Sequence, residues 1–389
     1  MYYCGIDIAK RKHDIAILDQ EGNLQDKFLK ITNTASGFEQ LLSKLQTLDQ
    51  DVLIGMEATG HYWLALFDAL SAAGYKIVVL NPLQISAYRR SGIRKVKNDR
   101  KDAWWIADYL RIANLSPTDR QLPVLLQLRE LSRFRYSVMD QVGDLKRKII
   151  SILDRVFPEY ETLFSSVFIK TSRSLLKEAV TAQEIADFDL SELTALLQSN
   201  SRGRFGLEKA NHIQDLARQS VGVGFLQDAV RIEMGCLLDQ LELLLAQIAH
   251  LDDSIAEIMD SIPQHITTIP GIGAVTGAAI LAEIGDVNRF ESSEKIVAYA
   301  GIDPSVYETG QFKATKAHMS KRGSPYLRHA LWQAASMAIF YDPELKSYYE
   351  EKRQEGKHHG TAVGAVCNKL ISRIFVILKE QRPYIIRDC

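Results

Sequence analysis

The sequence predicts an α/β N-terminal domain, a long helical middle and a mainly α-helical C-terminal domain. Three observations support this fold class. Short β-type and helical segments alternate through the first 82 residues, two long stretches repeat apolar residues at spacings of three and four, and a glycine-rich turn near residue 271 separates two short helical segments. The predicted domain boundaries are 1–120, 121–262 and 263–389.

The composition is that of an ordinary globular protein. The chain has 389 residues, 46% hydrophobic and 24% charged, which is enough for two or three domains. A net charge of −1 indicates no class of partner. The chain has no signal-peptide pattern and no apolar run of membrane-spanning length, so we expect a cytoplasmic protein without a membrane partner. The cysteines lack metal-type spacing and fit a reducing compartment: Cys4, Cys236, Cys367 and Cys389.

The N-terminal segment alternates between β-type and helical patterns. Its first three β-type stretches predict a meander: YYCGIDIA (2–9), HDIAILD (13–19) and GNLQDKFLKI (22–31). A helix, a strand, a second helix and a further strand are predicted to follow, at 35–48, 51–57, 61–75 and 76–82. This order indicates a mixed sheet with crossover helices, and it is typical of an RNase H-like core.

Four carboxylates occupy notable places in this pattern. Asp7 lies in the middle of the first strand, Glu57 ends the strand 51–57, and Asp99 and Asp102 share one face of a helix predicted to begin near Asn98. An acid in a central strand is costly to bury unless it is paired or binds a metal. We therefore predict that the four converge on Mg²⁺, a hard cation that takes oxygen ligands. The alternative is that they are structural acids on a solvated, mixed-charge surface.

The middle of the chain carries two heptad-like seams. The first comprises Leu128, Leu131, Val138, Val142, Leu145, Ile149, Ile152 and Val156. The second comprises Val230, Met234, Leu237, Leu241, Leu244, Ile248, Leu251, Ile255, Ile258 and Ile262. This spacing predicts a coiled coil or a long antiparallel helical hairpin, with 158–227 as its tip and 201–206 as a loop. A dimerisation arm and an intrachain hairpin both remain open.

A glycine-rich turn begins the C-terminal third. The stretch ITTIPGIGAVTGAAILAEIGD (266–286) matches a helix-hairpin-helix, with Gly271 and Gly273 in its turn. Glycines let a backbone approach a phosphate closely, and amides at the next helix N-terminus can hold that phosphate. The motif predicts binding to a nucleic-acid backbone. The alternative is a turn that serves packing alone.

A basic segment without acids follows this turn. Between Thr309 and Leu331 there are five Lys or Arg and two His, with aromatic residues interleaved. Such a pattern predicts a surface that grips phosphates, and the alternative is an ordinary basic loop. The predicted contacts are Lys313, Lys316, Lys321, Arg322 and Arg328.

Taken together, these residues resemble a known family. Asp7 in GIDIAK, Glu57 in GMEATG, and Asp99 with Asp102 in KNDRKDA are similar to the DEDD tetrad of bacterial insertion-sequence transposases guided by a bridge RNA, the IS-one-ten family. The segments IPGIGAVTGAAILAEIGD, AGIDPSVYETG and MSKRGSPYLRHAL resemble that family's C-terminal transposase domain. The resemblance covers roughly residues 3–115 and 265–375.

The resemblance implies a fold and a mechanism. It implies a RuvC-like DEDD domain that binds Mg²⁺, a coiled-coil domain, and a C-terminal domain whose serine attacks DNA and forms a covalent intermediate. The implied partners are donor and target DNA, a guide RNA and further copies of the chain, from dimer to tetramer. The basic residues around the acids would then contact the polyanion: Arg94, Lys95 and Lys97.

The chain departs from the family at the nucleophile. Thr309-Gly310 stands where the family has a Ser-Gly pair. Threonine keeps the hydroxyl but adds a methyl group that restricts χ1, so Thr309 is either a slow natural nucleophile or a change that traps the state before cleavage. Two rival functions stay open. One is a metal-dependent nuclease that uses water, and the other is a non-enzymatic nucleic-acid-binding protein.

Overall fold

The computed structural model describes residues 1–58, 60–80, 82–91, 99–113, 115, 117–118, 122–303, 308–309, 312–313 and 319–386. It divides into two compact units, Met1–Leu122 and Pro123–Cys389. Helices and strands alternate in the first unit, and the second is almost entirely helical.

A five-stranded mixed sheet forms the first unit, as the sequence predicts. Its order is β3-β2-β1-β4-β5, with β1, β2 and β3 antiparallel and β4 and β5 parallel to β1. The strands are β1 Tyr2–Asp7, β2 Lys12–Leu18, β3 Leu29–Thr32, β4 Val52–Glu57 and β5 Lys76–Leu80. The third strand is shorter than predicted: after the turn at Asp19, Leu24 pairs with Leu18 in an isolated bridge, and regular pairing with β2 resumes only at Leu29.

Four helices accompany the sheet: α1 Ala35–Gln46, α2 Leu64–Ala72, α3 Pro82–Ser91 and α4 Asp99–Ile112. The sequence predicts α1, α2 and the start of α4, but α3 was not predicted. Pro82 stands at the first position of α3, where its missing N–H costs no helical hydrogen bond. Pro82, which the sequence analysis took as the end of a strand, therefore begins a helix.

Helix α4 lies directly against β1 and β4 because glycines face it. A Cβ on Gly5 would lie 2.2 Å from the carbonyl oxygen of Ala103 and 2.3 Å from the amide nitrogen of Ala107. A Cβ on Gly55 would lie 2.5 Å from a methyl carbon of Leu110. Because Gly5 and Gly55 are paired across the parallel strands, they make one flat groove for the helix.

Replacing Gly5 by alanine is expected to destabilise the first unit by about 3 kcal/mol, because the added Cβ would meet helix backbone that cannot move aside. Urea unfolding followed by tryptophan fluorescence measures this change. The matched control is Gly235→Ala, where nothing lies within 4 Å of the added Cβ, and it should leave stability unchanged or raise it by up to ~1 kcal/mol. Equal unfolding midpoints for both variants would contradict the close packing.

Two long helices of 35 residues each run through the second unit, α5 Leu122–Val156 and α10 Gln227–Ser261. Arg155 lies 3.7 Å from Glu233, whereas Arg135 pairs with Asp252. Since the partner numbers fall along α10 as they rise along α5, the two helices are antiparallel within one chain. The intrachain hairpin is thus present, and whether the pair supercoils as a coiled coil stays a prediction.

The predicted seams face inward. Their buried members include Val138, Val142, Leu145, Ile149, Ile152, Val156, Val230, Met234, Leu237, Leu241, Ile248 and Leu251. Four helices pack against the far end of this pair, in the segment predicted to be its tip: α6 Lys170–Glu178, α7 Ala182–Ala186, α8 Leu190–Ser201 and α9 Leu207–Arg218. A 3-10 helix, Pro158–Thr162, leads into them. The predicted loop follows α8, with Arg202 and Gly203 at positive φ.

A second core lies in the C-terminal part. It is built mainly from α11 Ala274–Ile284, α12 Ser293–Ala300, α13 Pro325–Tyr341, α14 Pro343–Gln354 and α15 His359–Glu380. Two 3-10 helices, Ile266–Thr268 and Val287–Arg289, and a two-stranded hairpin, β6 Glu308–Thr309 with β7 Phe312–Lys313, complete the described part. Helix α15 is long and apolar enough to cross a membrane by length and composition. Half of that stretch is buried in the protein, as expected of a core helix.

Candidate active site

Asp7 and Glu57 lie side by side at the carboxyl ends of two parallel strands. Ile6 pairs with Met56 in the β1–β4 register, which places Asp7 next to Glu57. Each acid follows by two residues a glycine that faces α4, so both lie on the sheet face that this helix covers. The sequence predicted Asp7 in the middle of the first strand, and this was wrong, because β1 ends at Asp7; its neighbours Ile6 and Ile8 are both buried.

Asp102 comes from α4, next to the residue that covers Gly5. Its carboxylate lies 3.4 Å from a guanidinium nitrogen of Arg89, and a carboxylate oxygen of Glu57 lies 3.3 Å from the same group. The side chains of Glu57 and Asp102 are only 15% and 14% exposed. Two shielded carboxylates therefore converge on one cation.

Arg89 was not among the predicted site residues. It lies on α3, the helix that the sequence analysis did not predict. Without that helix, the contacts of Arg89 with Glu57 and Asp102 could not be predicted. The one signal in the sequence was that Arg89 begins the basic run that contains Asp99 and Asp102. The Nε of Arg89 is buried and has no hydrogen-bond partner among the described residues, so the group is held by its terminal nitrogens.

A buried carboxylate fixes α3 against α4. Asp108 accepts a hydrogen bond of 2.7 Å from the Tyr88 hydroxyl and hydrogen bonds of 2.7 and 3.0 Å from Arg111. Burial and this hydrogen bond raise the pKa of Tyr88 to about 12, so the phenol stays protonated and keeps donating. Tyr88 directly precedes Arg89, and Asp108 thereby positions the guanidinium between Glu57 and Asp102.

The acids fit a divalent cation in chemistry and charge. Glu57 and Asp102 are oxygen donors that already share a positively charged group, and the β1–β4 register places Asp7 next to Glu57. Among the residues with described side chains, no preformed group of three metal-ligating side chains occurs. Asp99 begins α4, as predicted, but its side chain lies outside the described part. A metal would thus have to compete with Arg89 for two of its ligands.

Replacing Arg89 by alanine is expected to lower the melting temperature in EDTA by roughly 2–4 °C, because Glu57 and Asp102 would face each other without a cation. Added Mg²⁺ should restore more stability in the variant than in the wild type, since it replaces the missing charge. Thermal scans with and without Mg²⁺ measure both effects. Lys101→Ala, at an exposed position beside Asp102, is the control. A variant that is destabilised but indifferent to Mg²⁺ would argue against a cation site.

The predicted nucleophile lies on the short hairpin of the second unit. Thr309 ends β6 and pairs with Phe312 of β7, and Lys313 follows on β7. Their side chains, together with Lys316 and the basic residues Arg94, Lys95 and Lys97, fall outside the described part. Thr309 therefore has a described backbone position, and its role stays a prediction.

The two ends of the segment that carries Thr309 are held together. Asp303 accepts hydrogen bonds of 2.9 Å from the Ser320 amide, at its carbonyl, and of 2.5 Å from the Ser320 hydroxyl, at its carboxylate. The Lys321 amide donates to the Gly301 carbonyl at 3.1 Å. The described residues on either side of this segment, Asp303 and Ser320, are thus held next to each other. Ser320, whose hydroxyl is close to Thr309 in the sequence, therefore helps to hold the two ends together.

The remaining predicted phosphate contacts divide into exposed and structural residues. Lys321 and Arg322 are exposed just before α13, so they can reach a polyanion. Arg328 donates a hydrogen bond of 2.9 Å to the Ala300 carbonyl, which gives it a structural role. Ser324 is the N-cap of α13, and its hydroxyl accepts a hydrogen bond from the Leu327 amide.

The glycine turn differs from the prediction in two ways. Its first helical segment is a single 3-10 turn, Ile266–Thr268. Gly271 has a φ of +90°, and a Cβ there would lie 2.5 Å from the Ala338 amide nitrogen, so α13 fills the space expected for a phosphate. Gly273, at the N-terminus of α11, has nothing within 4 Å of such a Cβ. Only Gly273 leaves room for a close phosphate.

Comparison with known proteins identifies the family. The model of a DEDD-type transposase domain, described as a transposase, matches residues 4–158. A second model, of the transposase IS116/IS110/IS902 family, matches residues 263–350. The chain therefore carries two domains of the IS110/IS116/IS902 type of transposase. The first match contains all four predicted acids, and the second contains the Thr309 hairpin.

Relatives of the transposase extend over nearly its whole length. It is 26% identical to the mini-circle putative transposase for IS117 of Streptomyces coelicolor, across 98% of this chain and 95% of that protein. It is 24% identical to the pilin gene-inverting protein of Moraxella bovis, across 98% and 97%. A transposase for IS1328 of Yersinia enterocolitica is 33% identical over 38% of this chain and 43% of its own. The resemblance to this type of transposase is confirmed, and with it the class of enzyme, whereas the guide RNA and the role of Thr309 stay predictions.

Proposed function

We propose that this transposase cuts and rejoins DNA under the direction of a guide RNA, in an Mg²⁺-dependent reaction that passes through a covalent link between DNA and Thr309. The observation that carries the proposal is the convergence of Glu57 and Asp102 on one cation, beside Asp7, within a DEDD-type transposase domain. The relatives named as a transposase and a gene-inverting protein support DNA recombination as the outcome.

The acids and Arg89 define what the first unit contributes. Asp7, Glu57, Asp99 and Asp102 would hold Mg²⁺, which when bound neutralises phosphate charge and stabilises a leaving oxygen. The shielded positions of Glu57 and Asp102 exclude bulk water and strengthen their attraction for a cation. Arg89, which pairs with both Glu57 and Asp102, would add a second positive charge beside the phosphate.

Thr309 would supply the nucleophile from the second unit. Its Oγ forms a bond to phosphorus while the bond between phosphorus and the leaving sugar oxygen breaks. The proton lost by the threonine hydroxyl is balanced by the one that the leaving oxygen takes up. Attack by a sugar hydroxyl of another strand reverses these steps and rejoins DNA, and the number of phosphodiester-type bonds is conserved throughout.

Two described parts of the second unit suit a polyanion. Lys321 and Arg322 are exposed at one end of the segment that carries Thr309. Gly273 is the N-cap of α11, and nothing lies within 4 Å of a Cβ built on it, so a phosphate would have room to approach the backbone there. Such contacts position a nucleic-acid backbone without reading its sequence, which is why recognition would fall to the guide RNA.

The larger assembly belongs to the same proposal. We place a RuvC-like domain at 1–120, a helical domain at 121–262 and the nucleophile-bearing domain at 263–389. A dimer or tetramer would bring the acids of one copy to the hydroxyl of another. Lys313, Lys316, Arg94, Lys95 and Lys97 would contact DNA or RNA in this assembly, in the bacterial cytoplasm.

A denaturing gel tests the proposal. End-labelled DNA from the ends of the insertion sequence is incubated with the protein, Mg²⁺ and RNA transcribed from that element. The expected product is a slow band of DNA linked to protein, which collapses after proteolysis and is absent with EDTA. Omission of the RNA should also remove it.

Two other outcomes would overturn the proposal in different ways. Cut ends without any linked protein would indicate a metal-dependent nuclease that uses water. Binding without cutting, unchanged when Asp7 or Asp102 is replaced by alanine, would indicate a non-enzymatic nucleic-acid-binding protein.

A further inference from the structure

A cavity in the second unit takes no part in the proposed reaction. It has a volume of about 240 Å³ and lies among α5, α11 and α13. Its lining includes Ser132, Tyr136, Asp140, Thr276, Tyr326 and His329. Because α13 begins directly after the exposed Lys321 and Arg322, the cavity adjoins the surface where a nucleic-acid backbone would lie.

Aromatic rings form one wall of this cavity. The ring of Tyr136 stands nearly perpendicular to Tyr326, at 5.3 Å between centroids, and to His329, at 4.8 Å. The Arg133 guanidinium lies over the Tyr326 ring at 4.7 Å. Each ring is held by another group, so the wall is already arranged for a planar ligand and loses little freedom on binding.

The cations beside the cavity are already neutralised. Arg133 donates two hydrogen bonds to the buried Glu283, of 2.6 and 3.1 Å, and Arg135 is paired with Asp252. The exposed carboxylate of Asp140 adds negative charge. A phosphate would therefore find no unpaired cation among the described lining residues, and an uncharged ligand is favoured.

The cavity is also lined by polar side chains, with which a bound ligand would form hydrogen bonds. The Asp140 carboxylate and the His329 imidazole are the lining groups that can make them. Partial burial lowers the pKa of His329, with Asp140 acting against it and Arg135 with it, so the imidazole is neutral at pH 7 and can both donate and accept.

We propose that this cavity binds a single unpaired nucleobase extruded from the DNA or RNA that the transposase handles. The volume is below the range of roughly 300–1,000 Å³ that holds larger ligands, which suits one base rather than a whole nucleotide. The base would pack against the aromatic wall, and its edge would form hydrogen bonds with Asp140 or His329. The sugar and phosphate stay outside, near Lys321 and Arg322. The inference rests on the proposed function, in that it requires nucleic-acid binding.

The test compares two duplexes that differ in one base. A short duplex carries a single-adenine bulge, and its partner carries an abasic residue at the same bulge. Each is made as DNA and as RNA, and affinity is measured by fluorescence anisotropy with the full chain. We expect the bulged adenine to improve affinity about tenfold over the abasic duplex, as stacking of one base on aromatic side chains does.

Variants of exposed residues on α13 and α5 test whether the adenine binds in this cavity. Gln333→Trp, which lines the cavity at an exposed position, should abolish the advantage of the adenine and leave affinity for the abasic duplex unchanged. Met337→Trp, one turn further and outside the lining, should keep the full advantage. Asp140→Ala, also exposed, gives a second check that does not depend on adding bulk and should reduce the advantage.

The outcomes separate the cavity from the proposed function. An advantage in the RNA arm alone, or in the DNA arm alone, supports the inference and names the source of the base. Equal affinity for adenine and abasic duplexes in both arms overturns the inference and leaves the recombinase standing. An advantage that survives Gln333→Trp also overturns it. Failure to bind any duplex would instead remove the proposed function.

Discussion

Replacing Asp102 by asparagine is expected to reduce Mg²⁺-dependent DNA cleavage about a hundredfold or more. The substitution keeps the size of the side chain and removes one of the charges that Arg89 now holds at 3.4 Å. Loss of one preorganised charged group from a phosphoryl-transfer site commonly costs a factor of this size. Single-turnover cleavage on a denaturing gel, at saturating protein, measures the chemical step directly.

Stability separates this effect from misfolding. Asp102→Asn should unfold at nearly the wild-type temperature, because Arg89 still pairs with Glu57 at 3.3 Å. Asp68→Asn, on an exposed position of α2 in the same unit, is the matched control and should cleave normally. If Asp102→Asn cleaves as fast as this control across a range of Mg²⁺ concentrations, the acids are structural.

Replacing Thr309 by serine is expected to increase the rate of protein–DNA linkage by up to about a hundredfold. The threonine methyl restricts χ1 and crowds a secondary alcohol, and a nucleophile misplaced by about 1 Å loses a factor of this order. The hairpin of β6 and β7 should be unaffected, since serine adds no bulk. The amount of linked DNA at early times, with Mg²⁺ and the guide RNA, is the measurement.

Hydroxyl-free variants make this result specific. Thr309→Ala should remove the linked product entirely while DNA binding persists. Ser305→Ala removes a nearby hydroxyl outside the motif position and should leave linkage unchanged. Linked DNA that persists in Thr309→Ala, or disappears only in Ser305→Ala, would move the nucleophile away from Thr309. Equal rates for threonine and serine would make this chain fully competent.

The succession of strands and helices along the first unit follows from local sequence patterns. Apolar periodicity and the turns between segments predict five strands and three of the four helices, because each pattern is complete within a few residues. The acids were predicted for a related reason. A carboxylate such as Asp7 stands out in an apolar strand, and burial there needs a partner.

The heptad seams show where this kind of reasoning stops. They predict two long helices with one buried face, and both are present. A seam does not specify which helix will cover it, because apolar side chains pack alike on their own chain or on another. The pairing of Arg135 with Asp252 and of Arg155 with Glu233 settled that the two helices cover each other.

By itself, the sequence indicated the type of transposase and most of the α/β and helical segments, and it predicted the acids and Thr309 as site residues. Tertiary structure alone decided that Gly5 and Gly55 seat α4, that Gly271 packs on α13, and that Arg89 lies between Glu57 and Asp102. The physical reason is one of range. Helices, strands and motifs depend on neighbours along the chain, whereas close packing and ion pairs depend on atoms brought together only when distant segments meet.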